Sequence, residues 1–213
     1  ELKEDESPII LGPVCKSRWI YSCSKQMMDR VIAAYGQEEG LRYTLFRPFN
    51  WIGPRLDTFR DAEGRKARSI TQILYDVTHG RDVSLVGSGR QRRSFTWVGD
   101  GVEALEAVIR NEGGRADGEI FNIGNPRNNA SIRELALLVI EALKPHPKYG
   151  PLAERARLVE IDSRDYYGKG YEDVLNRVPS VEKANLLLGW KPRTTREEAV
   201  RMTVEETLAE KGV

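Results

Sequence analysis

The chain has 213 residues, 40% of them hydrophobic and 31% charged, with a formal net charge of +1. That composition excludes a disordered chain, and the near-balanced charge argues against a nucleic-acid or membrane surface as the main partner. No apolar run is long enough to cross a membrane and none reads as a signal peptide; with only Cys15 and Cys23, and with His79 and His146 far apart, a cytoplasmic chain without a disulfide framework or a metal site is expected.

Residues 1–7 are acidic and polar and read as a loop or a cut end. Residues 22–37 read as a helix, with apolar Met27, Met28, Val31, Ile32 and Tyr35 at three- and four-residue spacing and Gly36 and Gly40 bracketing its end. Just ahead of it, Tyr21 is followed four residues later by Lys25, a spacing that stacks two side chains one helical turn apart. A free phenol, with a pKa near ~10, is a poor base at neutral pH, and an adjacent ammonium favours the phenolate. Such a pair can take a proton from an alcohol, although the same spacing also arises by chance on many helices. Residues 43–47 read as a strand stopped by Pro48, residues 55–68 as a charged loop, and residues 69–79 as a helix ended by Gly80.

Val83-Ser84-Leu85-Val86 alternates as a strand does and runs into the turn Gly87-Ser88-Gly89. No third glycine and no helix follow, so this is not a dinucleotide fingerprint. Arg90-Gln91-Arg92-Arg93 comes next. Three guanidiniums beside a flexible turn suit a diphosphate, because Arg forks match phosphate oxygens; a solvated basic loop is the competing reading. Residues 94–98 read as a strand, with Asp100 and Glu103 as a capping pair for a helix carrying Ala104, Leu105, Val108 and Ile109. A strand over 119–124, a helix opened by the capping box Ser131/Glu134, and a last strand over 158–161 follow. Residues 165–177, rich in Tyr, Gly and charge, have the make-up of a lid or substrate clamp. A helix ending near Gly189 and a final helix capped by Thr194 or Thr195 complete the chain.

The Tyr21/Lys25 pair and the stretch Leu45-Phe46-Arg47-Pro48-Phe49-Asn50-Trp51-Ile52-Gly53-Pro54-Arg55 together resemble the extended short-chain dehydrogenase/reductase family. Within it, Arg18-Trp19-Ile20-Tyr21, Phe46 to Trp51 and Tyr166-Tyr167-Gly168-Lys169-Gly170-Tyr171 resemble the UDP-glucuronic acid oxidative decarboxylase branch of ArnA-type bifunctional proteins, and the resemblance runs from about Gly12 to the C-terminus. It implies an α/β fold: the C-terminal part of an extended short-chain dehydrogenase, a Rossmann-type sheet remainder plus a small α/β substrate lobe. The family's glycine-rich NAD-binding half and its Thr-Ser-Glu stretch are not found ahead of Tyr21, so a single C-terminal portion, inactive by itself, is expected.

By the same resemblance the cofactor is NAD, and Tyr21, Lys25 and Arg177 are catalytic, with Tyr21 and Lys25 also meeting the cofactor. Arg18, Asn50, Arg68, Ser84, Arg90, Gln91, Arg92, Arg93 and Tyr171 are then substrate-binding, and the partner is a UDP-sugar, with a homo-oligomer in the intact protein. The implied reaction is oxidative decarboxylation of UDP-glucuronic acid to a UDP-4-keto-pentose, in the pathway that adds 4-amino-4-deoxy-L-arabinose to lipid A. A UDP-apiose/xylose synthase or another epimerase or decarboxylase of the same fold, or a non-catalytic UDP-sugar-binding fragment, are the alternatives.

Overall fold

A computed structural model describes residues 1–7, 12–16, 19–167 and 174–210. In chain order the elements are α1 (Trp19–Glu39), β1 (Leu45–Pro48), β2 (Trp51–Ile52), α2 (Phe59–Glu63), α3 (Ser69–Thr78), β3 (Val83–Val86), β4 (Arg92–Ser94), β5 (Thr96–Trp97), α4 (Val98–Arg110), β6 (Ile120–Ile123), β7 (Asn129–Ser131), α5 (Ile132–Leu143), α6 (Gly150–Arg155), β8 (Leu158–Ile161), α7 (Ser163–Tyr167), β9 (Asn176–Arg177), α8 (Glu182–Leu188) and α9 (Arg196–Ala209). The parallel pairs β1–β6, β2–β5 and β3–β8 are joined by helical crossovers, and a three-stranded set has the order β7-β4-β9. This is an α/β Rossmann-like sheet with a helical lobe, as the alternation of strand and helix patterns predicts.

Two cores hold it. The larger gathers Ile70, Leu74 and Val77 of α3, Val83 and Leu85 of β3, Leu135, Val139 and Leu143 of α5, and Val200, Val204 and Leu208 of α9. Each contributes about 1.5–3 kcal/mol on full burial, an upper estimate before chain ordering is charged against it. The smaller core sets Phe121 and Ile123 of β6 against Ala104 of α4, Ala184 of α8 and Trp190. The helix ends follow their sequence signals: Ser131 and Glu134 form a reciprocal capping box on α5, Thr195 and Glu198 one on α9, and Gly189 ends α8 in the left-handed region at φ 66°.

Two expectations are corrected. The stretch 55–68 is not all loop, because Thr58 and Asp61 make a capping box that starts the short helix α2. Asp100 is not the N-cap of α4, which begins two residues earlier at Val98. Its buried carboxylate instead accepts hydrogen bonds from the backbone N–H groups of Arg193 and Thr194 and from the Thr194 hydroxyl, at 3.1, 3.1 and 2.9 Å, so it ties the start of α4 to the run into α9. Residues 1–7 are docked: Leu2 forms a bridge to Pro179, and the buried Glu4 carboxylate accepts the Asn122 N–H at 2.8 Å. The helix expected over 22–37 is present as α1, and it buries none of its residues. Ile20, Met27, Val31 and Tyr35 recur along one face and stay exposed, while Asp29 on another face takes the Arg47 guanidinium of β1 at 3.3 Å.

Candidate active site

The ends of α1, β1 and β3, the start of α3 and the turn before β4 surround a cavity of about 740 Å³. Its lining includes Tyr21, Asn50, Arg68, Gln72, Asp76, Ser84, Gln91 and Arg93, with Trp51, Ile73, Val86, Phe95 and Tyr166 as apolar walls. An opening of this size between strand ends and crossover helices is where open α/β sheets place their ligands.

Each polar side chain is placed by a local feature. Tyr21 lies in the first turn of α1, and the Lys25 ammonium sits 5.4 Å from the centre of its ring, as a four-residue helical spacing dictates. Among the described residues Lys25 makes no ion pair, so its N–H donors are open to a ligand. Asn50 adopts φ 43° between β1 and β2, a left-handed turn that Asn tolerates better than most residues. Its carbonyl takes the Thr96 N–H at 3.2 Å, which joins the turn to β5. Arg68 is the N-cap residue of α3 and is held by Asp57, whose carboxylate accepts both its backbone N–H (2.9 Å) and its guanidinium (2.8 Å).

The arginine cluster divides. Arg93 is buried and lines the cavity; its Nη1 donates to the carbonyls of Arg92 at 2.7 Å and Val174 at 2.8 Å. Arg90 and Arg92 lie in a separate groove with Arg133, Glu134 and Glu160, so of the three arginines expected among the substrate-binding residues Arg93 is the one that lines the cavity. Strand alternation is the reason: Arg92 and Arg93 are neighbours on β4 and point to opposite faces. Arg92 is committed there to Asn129 Oδ1 at 2.8 Å and Glu134 at 2.9 Å. The backbone N–H of Ser131 and the charge of Arg92 hold the Glu134 carboxyl below the usual carboxylate range.

Arg177 lies on β9, opposite Arg93 in the parallel β4–β9 register, and its carbonyl accepts the Ser94 hydroxyl at 3.2 Å. It is half-buried and is not among the residues lining the cavity. Arg18 and Tyr171 lie outside the described residues. Sequence reasoning missed Gln72 and Asp76, which follow Arg68 at four-residue steps on the cavity side of α3. Their helical spacing was the available signal, but on an apolar helix it reads as ordinary solvation. Among the described residues no cluster could hold a metal ion, and no helix is long and apolar enough to cross a membrane.

Comparison with known proteins places this chain in a family. Residues 1–124 match the NAD dependent epimerase/dehydratase family, and the chain belongs to that family. It is similar to the PbgP3 protein of Burkholderia pseudomallei, at 45% identity over 94% of this chain and 56% of that one, with a TM-score of 0.80. It shares the fold of a UDP-glucose 4-epimerase from Thermotoga maritima solved with UDP-glucose, at 24% identity over 91% of this chain and 54% of that one (TM-score 0.72). It also shares the fold of a UDP-glucuronic acid 4-epimerase from Bacillus cereus in complex with UDP-glucuronic acid and NAD, at 18% identity over 98% of this chain and 56% of that one (TM-score 0.75). The chain thus spans about half the length of these solved relatives.

Proposed function

We propose that this chain carries the substrate-binding and proton-transfer groups of an NAD-dependent enzyme that oxidatively decarboxylates UDP-glucuronic acid to a UDP-4-keto-pentose, the step that leads to 4-amino-4-deoxy-L-arabinose on lipid A. The observation that carries the reading is the convergence of Tyr21, Asn50, Arg68, Gln91 and Arg93, drawn from four separate segments, on one cavity. The chemistry of these groups divides along the cavity, with a phenol for the reacting sugar and guanidiniums for the diphosphate. Relatives solved with UDP-glucose, and with UDP-glucuronic acid and NAD, support the ligand class.

Residues of this chain fit one end of the cofactor. Lys25, with its donors open and one turn from Tyr21, suits ribose hydroxyls beside the phenol. When bound, NAD supplies the hydride acceptor for C4 of the sugar. Tyr21 takes the proton of the C4 hydroxyl, with the Lys25 ammonium one helical turn away. Oxidation at C4 makes the C5 carboxylate a β-keto acid. Its C–C bond then breaks with the electron pair delocalised into the C4 carbonyl as an enolate, carbon dioxide departs, and a proton is returned to C5. Arg177 is the residue we assign to the carboxylate and the enolate; a guanidinium hardly releases a proton, so its part is chiefly electrostatic.

A second reading keeps the cavity and drops the decarboxylation: a UDP-sugar epimerase uses the same phenol and the same diphosphate contacts, and the epimerase relatives favour it. Product analysis separates the two. With UDP-glucuronic acid and NAD, an enzyme comprising this chain and the remaining half that its relatives carry is expected to release carbon dioxide and form a UDP-4-keto-pentose. Accumulation of UDP-galacturonic acid without carbon dioxide would replace the first reading by the second.

A further inference from the structure

The wall of the cavity formed by α3 is short of donors. Asp76 is 9% exposed, and among the described residues its carboxylate meets a single side-chain donor, Gln72 Nε2 at 3.1 Å. A carboxylate only accepts, so this bond fixes the amide with its nitrogen toward Asp76 and its oxygen turned away. That oxygen, Gln72 Oε1, is buried with no partner among the described residues. Gln91, also on the cavity, spends its Nε2 on the Val86 carbonyl at 3.0 Å and likewise leaves a buried Oε1 without a partner among the described residues. Buried polar atoms without partners are uncommon, and here both amide oxygens, together with the carboxylate, are acceptors. Burial raises the Asp76 carboxyl above the usual carboxylate range, against the opposing pull of Gln72 and of the charges on Arg81, Arg65 and His79.

The same helix carries a polarity. Arg68, Gln72 and Asp76 follow one another at four-residue steps, so Arg68 and Asp76 stand about 12 Å apart along the α3 axis. The guanidinium end, with Arg93 also on the cavity, suits an anion; the Asp76 end offers hydrogen-bond acceptors. A ligand that satisfies both ends is anionic at one pole and presents N–H donors at the other. A nucleoside diphosphate has this shape, with the diphosphate at the first pole and the base at the second.

We propose that Asp76, supported by Gln72, is the base-reading element of this cavity, accepting the ring N3–H of a pyrimidine-2,4-dione. The assignment rests on the nucleotide-sugar reading above and goes beyond it by naming the residues that select the base. Gln72 acts as a positioning residue: its amide nitrogen orients the carboxylate.

The test is a calorimetric titration of the 213-residue chain with UDP, with UDP methylated at uracil N3, and with inorganic pyrophosphate. For the wild type, methylation is expected to weaken binding ten-fold or more, the size of a lost hydrogen bond to a charged group. In Asp76→Ala, UDP is expected to bind as weakly as the methylated nucleotide does, and the difference between the two ligands to shrink to two-fold or less. Pyrophosphate affinity should be unchanged. Should Asp76→Ala fail to fold, Asp76→Asn and the wild-type ligand pair still read the contact. UDP and its N3-methyl derivative binding the wild type equally would overturn the base assignment alone. No binding of UDP to the wild type would overturn the nucleotide-sugar reading and the assignment with it.

Discussion

Arg93 of β4 and Arg177 of β9 stand opposite each other in a parallel register, one strand spacing apart, about 4.8 Å. The pairing links the guanidinium on the cavity to the segment that carries the residue assigned to the sugar carboxylate. It also explains why Arg93 is so firmly held: its Nη1 bonds two carbonyls, one of them Val174, three residues ahead of Arg177. Any ligand gripped by Arg93 is therefore gripped by a group coupled to the β9 strand.

The division of the arginine cluster sets the first prediction. Arg93→Ala should weaken UDP binding by about 1.5–3 kcal/mol, the range for a hydrogen bond to a charged group, whereas Arg90→Ala should leave it unchanged. Arg92→Ala should leave UDP affinity unchanged but lower the melting temperature, because Asn129 and Glu134 lose their partner. Titration calorimetry and a thermal melt on the three variants check this; loss of UDP affinity confined to Arg92→Ala would reverse the assignment of faces.

The second prediction concerns the Tyr21 phenol, tested in the enzyme completed by the other half. Tyr21→Phe keeps the ring and the Lys25 contact but removes the proton acceptor. Reduction of NAD followed at its nicotinamide absorbance should fall by about 10²–10⁴-fold, the usual worth of a positioned general base, with UDP affinity within two-fold of wild type. A variant that reduces NAD at the wild-type rate removes Tyr21 from this role.

The sequence carried most of the architecture because its signals are local. The Ser131/Glu134 and Thr195/Glu198 boxes, the left-handed Gly189 and the alternation at Val83 to Val86 each specify an element without help from distant residues. Linear motifs single out Tyr21, Asn50 and Arg93, which the fold brings to one cavity. The site was not legible where tertiary pairing decides: nothing local says that Asp100 serves Thr194 rather than its own helix, or that Arg92 turns to Glu134 while Arg93 turns to the cavity. Gln72 and Asp76 acquire meaning only when α3 is seen to face β3 across an opening.

A third prediction follows from the burial of Asp76. Its carboxyl is raised in the fold above its unfolded value of about 3.9. The stability that this group contributes is then fully present below the unfolded pKa and is lost as pH rises through the folded one. Asn at this position has nothing to lose. The melting temperature of Asp76→Asn relative to wild type should therefore rise between pH 3.5 and pH 7, and paired melts across that window check the sign.

A fourth concerns Asp100, whose carboxylate serves three donors on the approach to α9. Asp100→Ala leaves the Arg193 and Thr194 N–H groups without their acceptor and should cost about 2–4 kcal/mol, at one to three for each unsatisfied buried group with partial recovery by water. Chemical denaturation gives the number, and a cost below 0.5 kcal/mol would show that water replaces the carboxylate there.

The last prediction separates decarboxylation from simple oxidation. A fixed positive charge near the sugar carboxylate helps to bind it, and matters more as the electron pair moves from the breaking C–C bond into the enolate. Arg177 lies on β9, whose pairing with β4 uses backbone groups and so survives a change of side chain. Arg177→Met keeps much of the bulk and removes both charge and donors. In the completed enzyme, carbon dioxide release from UDP-glucuronic acid should fall by about two orders of magnitude or more, in line with the loss of one electrostatic stabiliser. UDP, which lacks the carboxylate, should bind within a few-fold of wild type. Measuring both quantities on one variant decides the matter: undiminished carbon dioxide release rules Arg177 out of the reaction, and a parallel loss of UDP affinity shows that the side chain serves the lobe rather than the chemistry.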